Sequence, residues 1–268
     1  MSSAPQALVP NWRIRRGPGS LYRKIRSLEY LATRDRGEVW RFLAARYPVP
    51  FSAAARLELV RRFVETTNAV RGYHTNREML AVARQILALA GRPGLTVVEA
   101  GSGKGASTAK LSLAVRIAGG TLHVFDSFRG LPANDELDEH LDGRPARFRA
   151  GAFAGRLASV KRVVERFGAI EVCEFHKGWF HETLPRFERP VDVAILDVDL
   201  LSSTRICLAR LFPLLRAGGL LFTQDGHLKK IVETLASERF WRDEVGVHPP
   251  AIPGLGERKF LEIRAASP

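Results

Sequence analysis

A glycine-rich turn near residue 100 is the feature of the sequence that points most directly to chemistry. The strand-like residues 97–100 (VVEA) run straight into residues 101–105 (GSGKG), and a helical pattern follows. Glycines in such a turn let the backbone bend sharply and approach a ligand without clashes from Cβ atoms. The turn therefore predicts a ligand-binding site where a strand ends and a helix begins.

Several cofactor classes use a turn of this kind, and the neighbouring residues help to separate them. A phosphate-binding loop of the GxxxxGK[ST] type is not present, because no Ser or Thr follows Gly103-Lys104. The dinucleotide pattern GxGxxG/A is met from Gly101 to Ala106. Asp126 follows about 20 residues later, where a ribose-binding acid is expected. An NAD-dependent oxidoreductase is therefore one interpretation.

Glu99, at the end of the predicted strand, favours a different cofactor. A carboxylate there would repel the pyrophosphate of a dinucleotide, but it would attract the ammonium group of an aminoacyl sulfonium cofactor. S-adenosylmethionine (SAM) carries such an ammonium group and no phosphate. We therefore predict SAM as the cofactor and keep the dinucleotide as the alternative.

Strand and helix patterns alternate around this turn. Thr75 and Glu78 have the spacing of a capping box, which predicts a helix start. An alternation of strands and helices is typical of a parallel sheet covered by helices on both sides, the doubly wound α/β architecture. The predicted strands are 96–100, 121–125, 171–175, 191–196, 220–223 and 259–264.

Three further strings make the chain resemble a known family. They are residues 125–132 (FDSFRGLP), 178–185 (GWFHETLP) and 196–200 (LDVDL). With the glycine turn, they resemble class I SAM-dependent methyltransferases, and among these the macrocin O-methyltransferase family, over roughly residues 70–225. The resemblance implies a Rossmann-like, mostly parallel sheet of seven strands. It also implies O-methylation of a hydroxyl on a small secondary-metabolite acceptor of the sugar or polyketide type.

The resemblance also assigns cofactor-binding roles to particular residues. The acid at the end of the second strand, Asp126, is expected to accept hydrogen bonds from the ribose hydroxyls, with Ser127 beside it. The polarity of segment 127–150 itself indicates a loop near the strand ends, which is either a candidate lid or an ordinary solvated loop. The methionine part of SAM is expected to lie against Glu99, Gly101, Ser102 and Gly103.

Asp197, Asp225 and His227 are the candidate catalytic residues. The resemblance implies that Asp197, at the mouth of the fourth strand, binds a Mg²⁺ that helps to deprotonate the acceptor, with Asp225 as a second ligand. Asp199 shares this role or anchors the following turn. The family usually has two adjacent aspartates after the fifth strand, whereas this sequence has Gln224-Asp225. Since Gln removes a charge from a site for a hard dication, direct base catalysis by a neutral His227 is the alternative to a metal.

The net charge of +13 is concentrated near the N-terminus. Residues 1–62 hold thirteen Arg or Lys and four acids, whereas the rest of the chain holds 28 basic and 24 acidic residues. We predict a disordered or loosely docked basic arm over residues 1–20, a helical extension over 21–70, and a SAM-binding methyltransferase domain over 71–268. The helices of the extension offer a surface for a homodimer.

The basic leader raises the alternative of an RNA methyltransferase. However, no aromatic residues are interleaved regularly with its charge and no RNA-binding motif is found. We therefore expect a small hydroxylated acceptor and no nucleic-acid partner. The Gln224 departure leaves a non-catalytic binding protein of the same fold as a further alternative. No segment has the ~18 consecutive apolar residues of a membrane span, and no signal peptide is found, so a cytoplasmic protein is expected.

Overall fold

A computed structural model describes residue 33 and residues 35–266 of the chain, so the predicted arm over residues 1–20 lies outside the described residues. The helices are α1 (Arg36–Ala44), α2 (Ala53–Ala69), α3 (Asn76–Ala88), α4 (Ala106–Ala118), α5 (Leu157–Phe167), α6 (Phe180–Thr183), α7 (Leu201–Leu211), α8 (Lys229–Ala236) and α9 (Glu238–Phe240). The strands are β1 (Thr96–Ala100), β2 (Thr121–Asp126), β3 (Asp138–Glu139), β4 (Pro145–Ala146), β5 (Cys173–Lys177), β6 (Val191–Leu196), β7 (Leu215–Thr223) and β8 (Leu261–Arg264).

The main sheet has the strand order β5-β2-β1-β6-β7-β8. Every neighbouring pair is parallel except β7 and β8, which are antiparallel. From β1 the chain moves first to β2 on one side and later to β6 on the other. The order therefore reverses at β1, and such a switch point opens a crevice at the carboxyl ends of the strands. The predicted doubly wound, mostly parallel fold is confirmed.

The predicted count of seven strands is wrong for the described part of the chain, where the main sheet has six. After β7 the chain enters α8 and α9, and a segment over residues 246–260 then leads to β8 without regular structure. Much of that segment is Pro and Gly. These residues disfavour strand pairing, because Pro lacks an N–H for the ladder and Gly has no side chain to pack.

Strand bounds follow the sequence most closely at the centre of the sheet. β1 and β6 have the predicted bounds, and all of their residues are buried. β5 begins two residues later than predicted, because residues 170–172 form a 3₁₀ turn. β7 begins at Leu215, before its predicted start, and its pairing with β6 is irregular there. The bounds of β5 and β7, which lie away from the central strands β1 and β6, therefore follow the sequence pattern less closely.

Helix α3 positions the chain that enters the site. Its predicted capping box is confirmed, since Thr75 Oγ1 accepts the N–H of Glu78 at 3.1 Å and Glu78 Oε2 accepts the N–H of Thr75 at 2.7 Å. The N-terminal helices α1 and α2 place Phe42 and Phe63 in the same hydrophobic core as β1 and α4. The domain boundary near residue 70 and a dimer through these helices stay predictions.

Within residues 33 and 35–266, no helix is both long enough and apolar enough to cross a membrane.

Candidate active site

The glycine turn after β1 lies directly against the end of β6. Gly101 has φ +88°, and a Cβ added to it would stand 2.0 Å from the carbonyl oxygen of Asp197. The backbone N–H of Asp197 donates to the carbonyl of Ala100 at 3.0 Å, and that of Gly101 donates to Phe125 at 2.9 Å. Only glycine fits here, and the ends of β1, β2 and β6 therefore meet at one point.

Asp126, at the end of β2, holds the glycine turn in place. Its Oδ2 accepts the N–H of Ser102 at 2.7 Å, the hydroxyl of Ser102 at 3.0 Å and the N–H of Gly103 at 3.2 Å. Its Oδ1 accepts the N–H of Phe128 at 2.6 Å. Each carboxylate oxygen has about two acceptor positions, and Oδ1 accepts only one of these bonds, so Oδ1 has room for a further donor. The ribose contact predicted for Asp126 stays a prediction.

Ser127 shapes the turn that follows β2. Its hydroxyl donates to the carbonyl of Gly130 at 2.8 Å and accepts the N–H of Arg129 at 3.0 Å. Ser127, Asp126, Gly101 and Gly103 line one large cavity. The structure thus brings together these four predicted cofactor-binding residues, whereas Ser102 lies behind them, bound to Asp126.

Glu99 lies deeper than the sequence suggested. It is 1% exposed and is not among the residues that line the cavity. Its Oε2 accepts the hydroxyl of Thr108 at 2.6 Å, while Oε1 has no hydrogen-bond partner among the described residues. Burial raises the pKa of this carboxyl to about 8. A contact with the ammonium group of SAM stays a prediction and would have to use Oε1.

Three carboxylates converge beside the glycine turn. Asp197 and Asp199 follow β6, Asp225 follows β7, and each offers an oxygen within 4.8 Å of the others. Asp225 Oδ2 accepts the backbone N–H groups of Val198 and Asp199, both at 3.2 Å. Asp199 has φ +60°. We call Asp197, Asp199 and Asp225 the aspartate cluster.

The aspartate cluster holds its protons more tightly than isolated carboxyls do. Burial and the neighbouring Asp225 raise the pKa of Asp197 to about 7. The pKa values of Asp199 and Asp225 are also raised, chiefly by burial, and Lys259 opposes the rise in all three. Converging oxygen ligands whose charges repel one another fit a hard divalent cation such as Mg²⁺.

Gln224 is the position where the family pattern has an acid. Its side chain is 1% exposed, and its Nε2 donates to Glu78 Oε2 at 3.4 Å. Its Oε1 has no hydrogen-bond partner among the described residues. The aspartate cluster nevertheless has three carboxylates, because Asp199 joins Asp197 and Asp225.

His227 lies in the cavity wall, on the loop that follows β7. Its ring stacks on His140 with 5.1 Å between centroids, and its Nδ1 lies 3.2 Å from the carbonyl oxygen of Gln224. Burial lowers the pKa of His227 to about 4, with smaller effects of Lys259 and His140. The imidazole is therefore neutral near pH 7, the form that a general base requires. Its catalytic role stays a prediction.

Sequence reasoning missed His74 and Lys259. His74 Nδ1 lies 3.6 Å from Asp197 Oδ2, and neither ring nitrogen has a hydrogen-bond partner among the described residues. Burial lowers the pKa of His74 to about 3. Lys259 lines the cavity, and its Nζ donates to the carbonyl of Tyr73 at 3.5 Å. The sequence offered one indication that His74 is held in a fixed position, because it directly precedes the capping box that begins at Thr75.

The cavity above these residues has a volume of about 1470 Å³. The aspartate cluster lies on one side of it, and segment 127–150 contributes part of its wall, including His140 and Arg144. The hairpin β3–β4 is docked on the chain after β7, since the N–H of Leu141 donates to the carbonyl of His227 at 3.0 Å. Apolar side chains also line the cavity, among them Leu131, Phe148, Phe153, Trp179, Phe180 and Ile206.

A doubly wound sheet with a glycine turn and an acid at the end of β2, beside carboxylates at the ends of β6 and β7, is the arrangement of a SAM-dependent methyltransferase. Residues 76–252 match the family described as macrocin-O-methyltransferase (TylF), and the chain belongs to that family. It is a SAM-dependent O-methyltransferase, as predicted. The family favours this activity over the NAD-dependent oxidoreductase, the RNA methyltransferase and the non-catalytic protein.

Solved structures of methyltransferases share the fold. The O-methyltransferase NovP is 20% identical, with a TM-score of 0.57 over 92% of this chain and 100% of that one. The calicheamicin methyltransferase CalS11 is 18% identical, with a TM-score of 0.51 over 98% and 97%. The methyltransferase PaMTH1 of Podospora anserina, bound to SAH, is 11% identical, with a TM-score of 0.51 over 88% and 96%. No curated protein sequence matches significantly.

Proposed function

We propose that this enzyme methylates a hydroxyl of a sugar-bearing or polyketide-type secondary metabolite, with SAM as donor and a Mg²⁺ held by the aspartate cluster. The observation that carries the proposal is the position of this cluster. Asp197, Asp199 and Asp225 lie together on the wall of a cavity that also contains Gly101, Gly103 and Asp126. This arrangement supports a site in which the methyl donor lies beside the groups that deprotonate the acceptor.

The lining of the cavity supports a partly apolar acceptor. Small-molecule pockets typically have volumes of about 300–1,000 Å³, and this cavity of about 1470 Å³ has room for SAM and for an acceptor beside it. Its apolar wall includes Phe148, Trp179 and Phe180, which suits a partly apolar natural product. The family is named for macrocin, and CalS11 is a calicheamicin methyltransferase, so both names support an acceptor of this kind.

Methyl transfer from a sulfonium is a displacement in which the electrophile arrives already activated. The protein must align the acceptor oxygen with the methyl group, exclude water and take up one proton. The glycine turn, held by Asp126, orients the donor. Asp197 is the proposed proton acceptor, because its carboxylate lines the cavity at the end of β6, directly beside the glycine turn. A bound Mg²⁺ would supply Lewis-acid polarisation of the acceptor hydroxyl.

A second route needs no metal. His227 lines the same cavity and is neutral near pH 7, because burial lowers its pKa to about 4. In this route the imidazole takes the proton directly, and the aspartate cluster orients the acceptor. The two routes differ in their response to a chelator.

The test is turnover of SAM with a panel of glycosylated macrolides, aglycones and free sugars, followed by SAH release and by the mass of the product. We expect methylated product from glycosylated or polyketide acceptors, and loss of activity with a chelator that Mg²⁺ restores. Asp243→Asn is the control for Asp→Asn variants of the aspartate cluster, because it removes the charge of an exposed acid that forms a salt bridge with Arg239. Binding of NAD without binding of SAM or SAH, measured by calorimetry, would contradict the proposal.

A further inference from the structure

A second group of metal-ligating side chains lies outside the active site, at the edge of the main sheet. It consists of His123 on β2 and of Glu174 and His176 on β5, which is the edge strand. We call these residues the β2–β5 cluster. His123 is the register partner of Glu174, and His176 lies two residues further along β5. Because side chains two residues apart in a strand share one face, the three side chains project on the same side of the sheet. None of them lines the active-site cavity.

The donor atoms of the β2–β5 cluster have the spacing of a tetrahedral metal site. His123 Nδ1 lies 3.1 Å from His176 Nε2 and 3.4 Å from Glu174 Oε2. Zinc binds His nitrogens and carboxylate oxygens at roughly 2.0–2.2 Å, almost always with tetrahedral geometry, so adjacent ligand atoms are separated by about 3.3 Å. The observed separations lie close to this value on either side. All three ligand atoms lie within 4.8 Å of one another, close enough to share one ion.

Both imidazoles are held in the form that binds a metal. Burial is the main cause that lowers the pKa of His123, to about 4, and also lowers that of His176. Neutral imidazole is the ligand form of histidine. The ring of His176 stacks on Phe125, with 4.1 Å between centroids and 6° between planes, and Phe187 packs edge-on against His123 at 4.9 Å. These aromatic contacts position the rings without a metal.

The β2–β5 cluster is open to solvent on one side and has charged residues of both signs near it. His123 is 1% exposed, whereas the Glu174 side chain is 51% exposed and opens the cluster to solvent. Glu174 contributes a negative charge, and Arg189 contributes an opposing positive charge to the two histidines. His123 Nε2 has no hydrogen-bond partner among the described residues. A hydrogen bond to the second nitrogen of a metal-binding histidine typically strengthens metal binding by about 10–100-fold. We therefore expect this site to bind its ion more weakly than a site whose histidines have such partners.

We propose that His123, Glu174 and His176 bind a zinc ion, with water as the fourth ligand on the side of Glu174. The nitrogen and carboxylate ligands are those that zinc takes in proteins. The ion would join β5 to β2 at the edge of the sheet and would act on stability rather than on methyl transfer. The proposal stands independently of the acceptor and of Mg²⁺ at the aspartate cluster. In the alternative arrangement, a proton between the two imidazoles makes an ordinary hydrogen bond and no metal binds.

The test uses the full chain, stripped of metal and kept in excess Mg²⁺ so that the aspartate cluster is saturated. Zn²⁺ is titrated by calorimetry, bound metal is counted by mass spectrometry, and Co²⁺ serves as a spectroscopic probe. We expect one Zn²⁺ per chain, a raised melting temperature, and the intense visible absorption of four-coordinate Co²⁺. Asp197→Asn should retain this uptake, because Asp197 belongs to the other cluster.

Two variants make the assignment specific. His176→Gln and Glu174→Gln should each weaken Zn²⁺ binding at least about tenfold and reduce the Co²⁺ absorption. Glu171→Gln is the matched control, because Glu171 is an exposed acid close to the start of β5 but outside the cluster. If His176→Gln does not fold, Glu174→Gln still tests the proposal, because the Glu174 side chain is exposed and its replacement is expected to leave the fold intact. Zn²⁺ uptake that is absent, or equal in wild type and both variants, overturns the proposal.

Discussion

The carboxylate of Asp225 accepts a hydrogen bond from the backbone N–H of Asp199 at 3.2 Å. The same oxygen accepts the N–H of Val198 at 3.2 Å. Asp199 has φ +60°, a conformation that is uncommon for residues other than glycine, and it lines the active-site cavity. Asp225 thus contributes one carboxylate to the aspartate cluster and fixes the backbone that presents another.

Asp225→Asn therefore tests two functions of one side chain. The amide retains an acceptor oxygen for the backbone, but it removes a negative charge from the cluster. We expect methyl transfer to fall about 100-fold or more, as is typical when a group that assists proton transfer is lost, while SAM affinity stays within about tenfold. Turnover and calorimetry measure the two effects. Unchanged turnover would remove Asp225 from the mechanism.

Asp197→Asn should nearly abolish methyl transfer and leave SAM affinity within about tenfold. Asp197 follows β6 and lines the cavity, where a carboxylate can take up the acceptor proton, and its Oδ2 lies 3.6 Å from His74 Nδ1. Single-turnover rates with saturating SAM measure the chemical step. The control Asp243→Asn should retain the wild-type rate. A variant that turns over at the wild-type rate would show that the proton goes elsewhere.

His227→Ala separates metal-assisted deprotonation from direct base catalysis. If the aspartate cluster holds Mg²⁺, a chelator should abolish activity and His227→Ala should keep most of it. If His227 is the base, activity should survive the chelator and be lost in the variant. The rate of wild type and variant, each with and without chelator, distinguishes these outcomes. Full activity of the variant in the presence of chelator contradicts both routes.

Gly101→Ala should prevent SAM binding or folding, because its Cβ would stand 2.0 Å from the carbonyl oxygen of Asp197. Gly143→Ala is the matched control. Gly143 has φ +80°, similar to the φ of +88° at Gly101, but no atom lies within 4 Å of its added Cβ. Left-handed strain costs roughly 1–2 kcal/mol, so both variants share that cost and only Gly101→Ala adds the clash. Equal SAM affinity in the two variants would contradict the close approach of β1 and β6.

Glu99→Gln should stabilise the cofactor-free protein increasingly as pH rises. Burial raises the pKa of Glu99 from its ordinary value of 4.5 to about 8. Between these values the folded protein keeps the proton and the unfolded chain releases it, so the contribution of Glu99 to the free energy of unfolding falls as pH rises. Gln does not titrate. Urea unfolding of both proteins at the two ends of this pH window measures the difference, and a pH-independent difference would contradict it.

Local patterns in the sequence determined the centre of the sheet and the glycine turn at the proposed cofactor site. β1 and β6 have the predicted bounds because both are short and mostly apolar runs. The capping box of Thr75 and Glu78 forms between residues three apart in the chain, so it could be predicted without knowledge of the tertiary structure. The glycine turn and Asp126 were recognisable for the same reason, since a short motif carries its own backbone requirement.

The tertiary structure decided which side chains meet across strands. Asp199 joins Asp225 through a backbone hydrogen bond between the ends of β6 and β7, while Gln224 donates to Glu78 on α3. His74 reaches Asp197, although the two residues are far apart in the chain. The six-stranded count also emerged only in the fold, where residues 246–260 cross from α9 to β8 without pairing. Such contacts depend on the order and stagger of elements in space, and periodicity along a single chain does not encode that order.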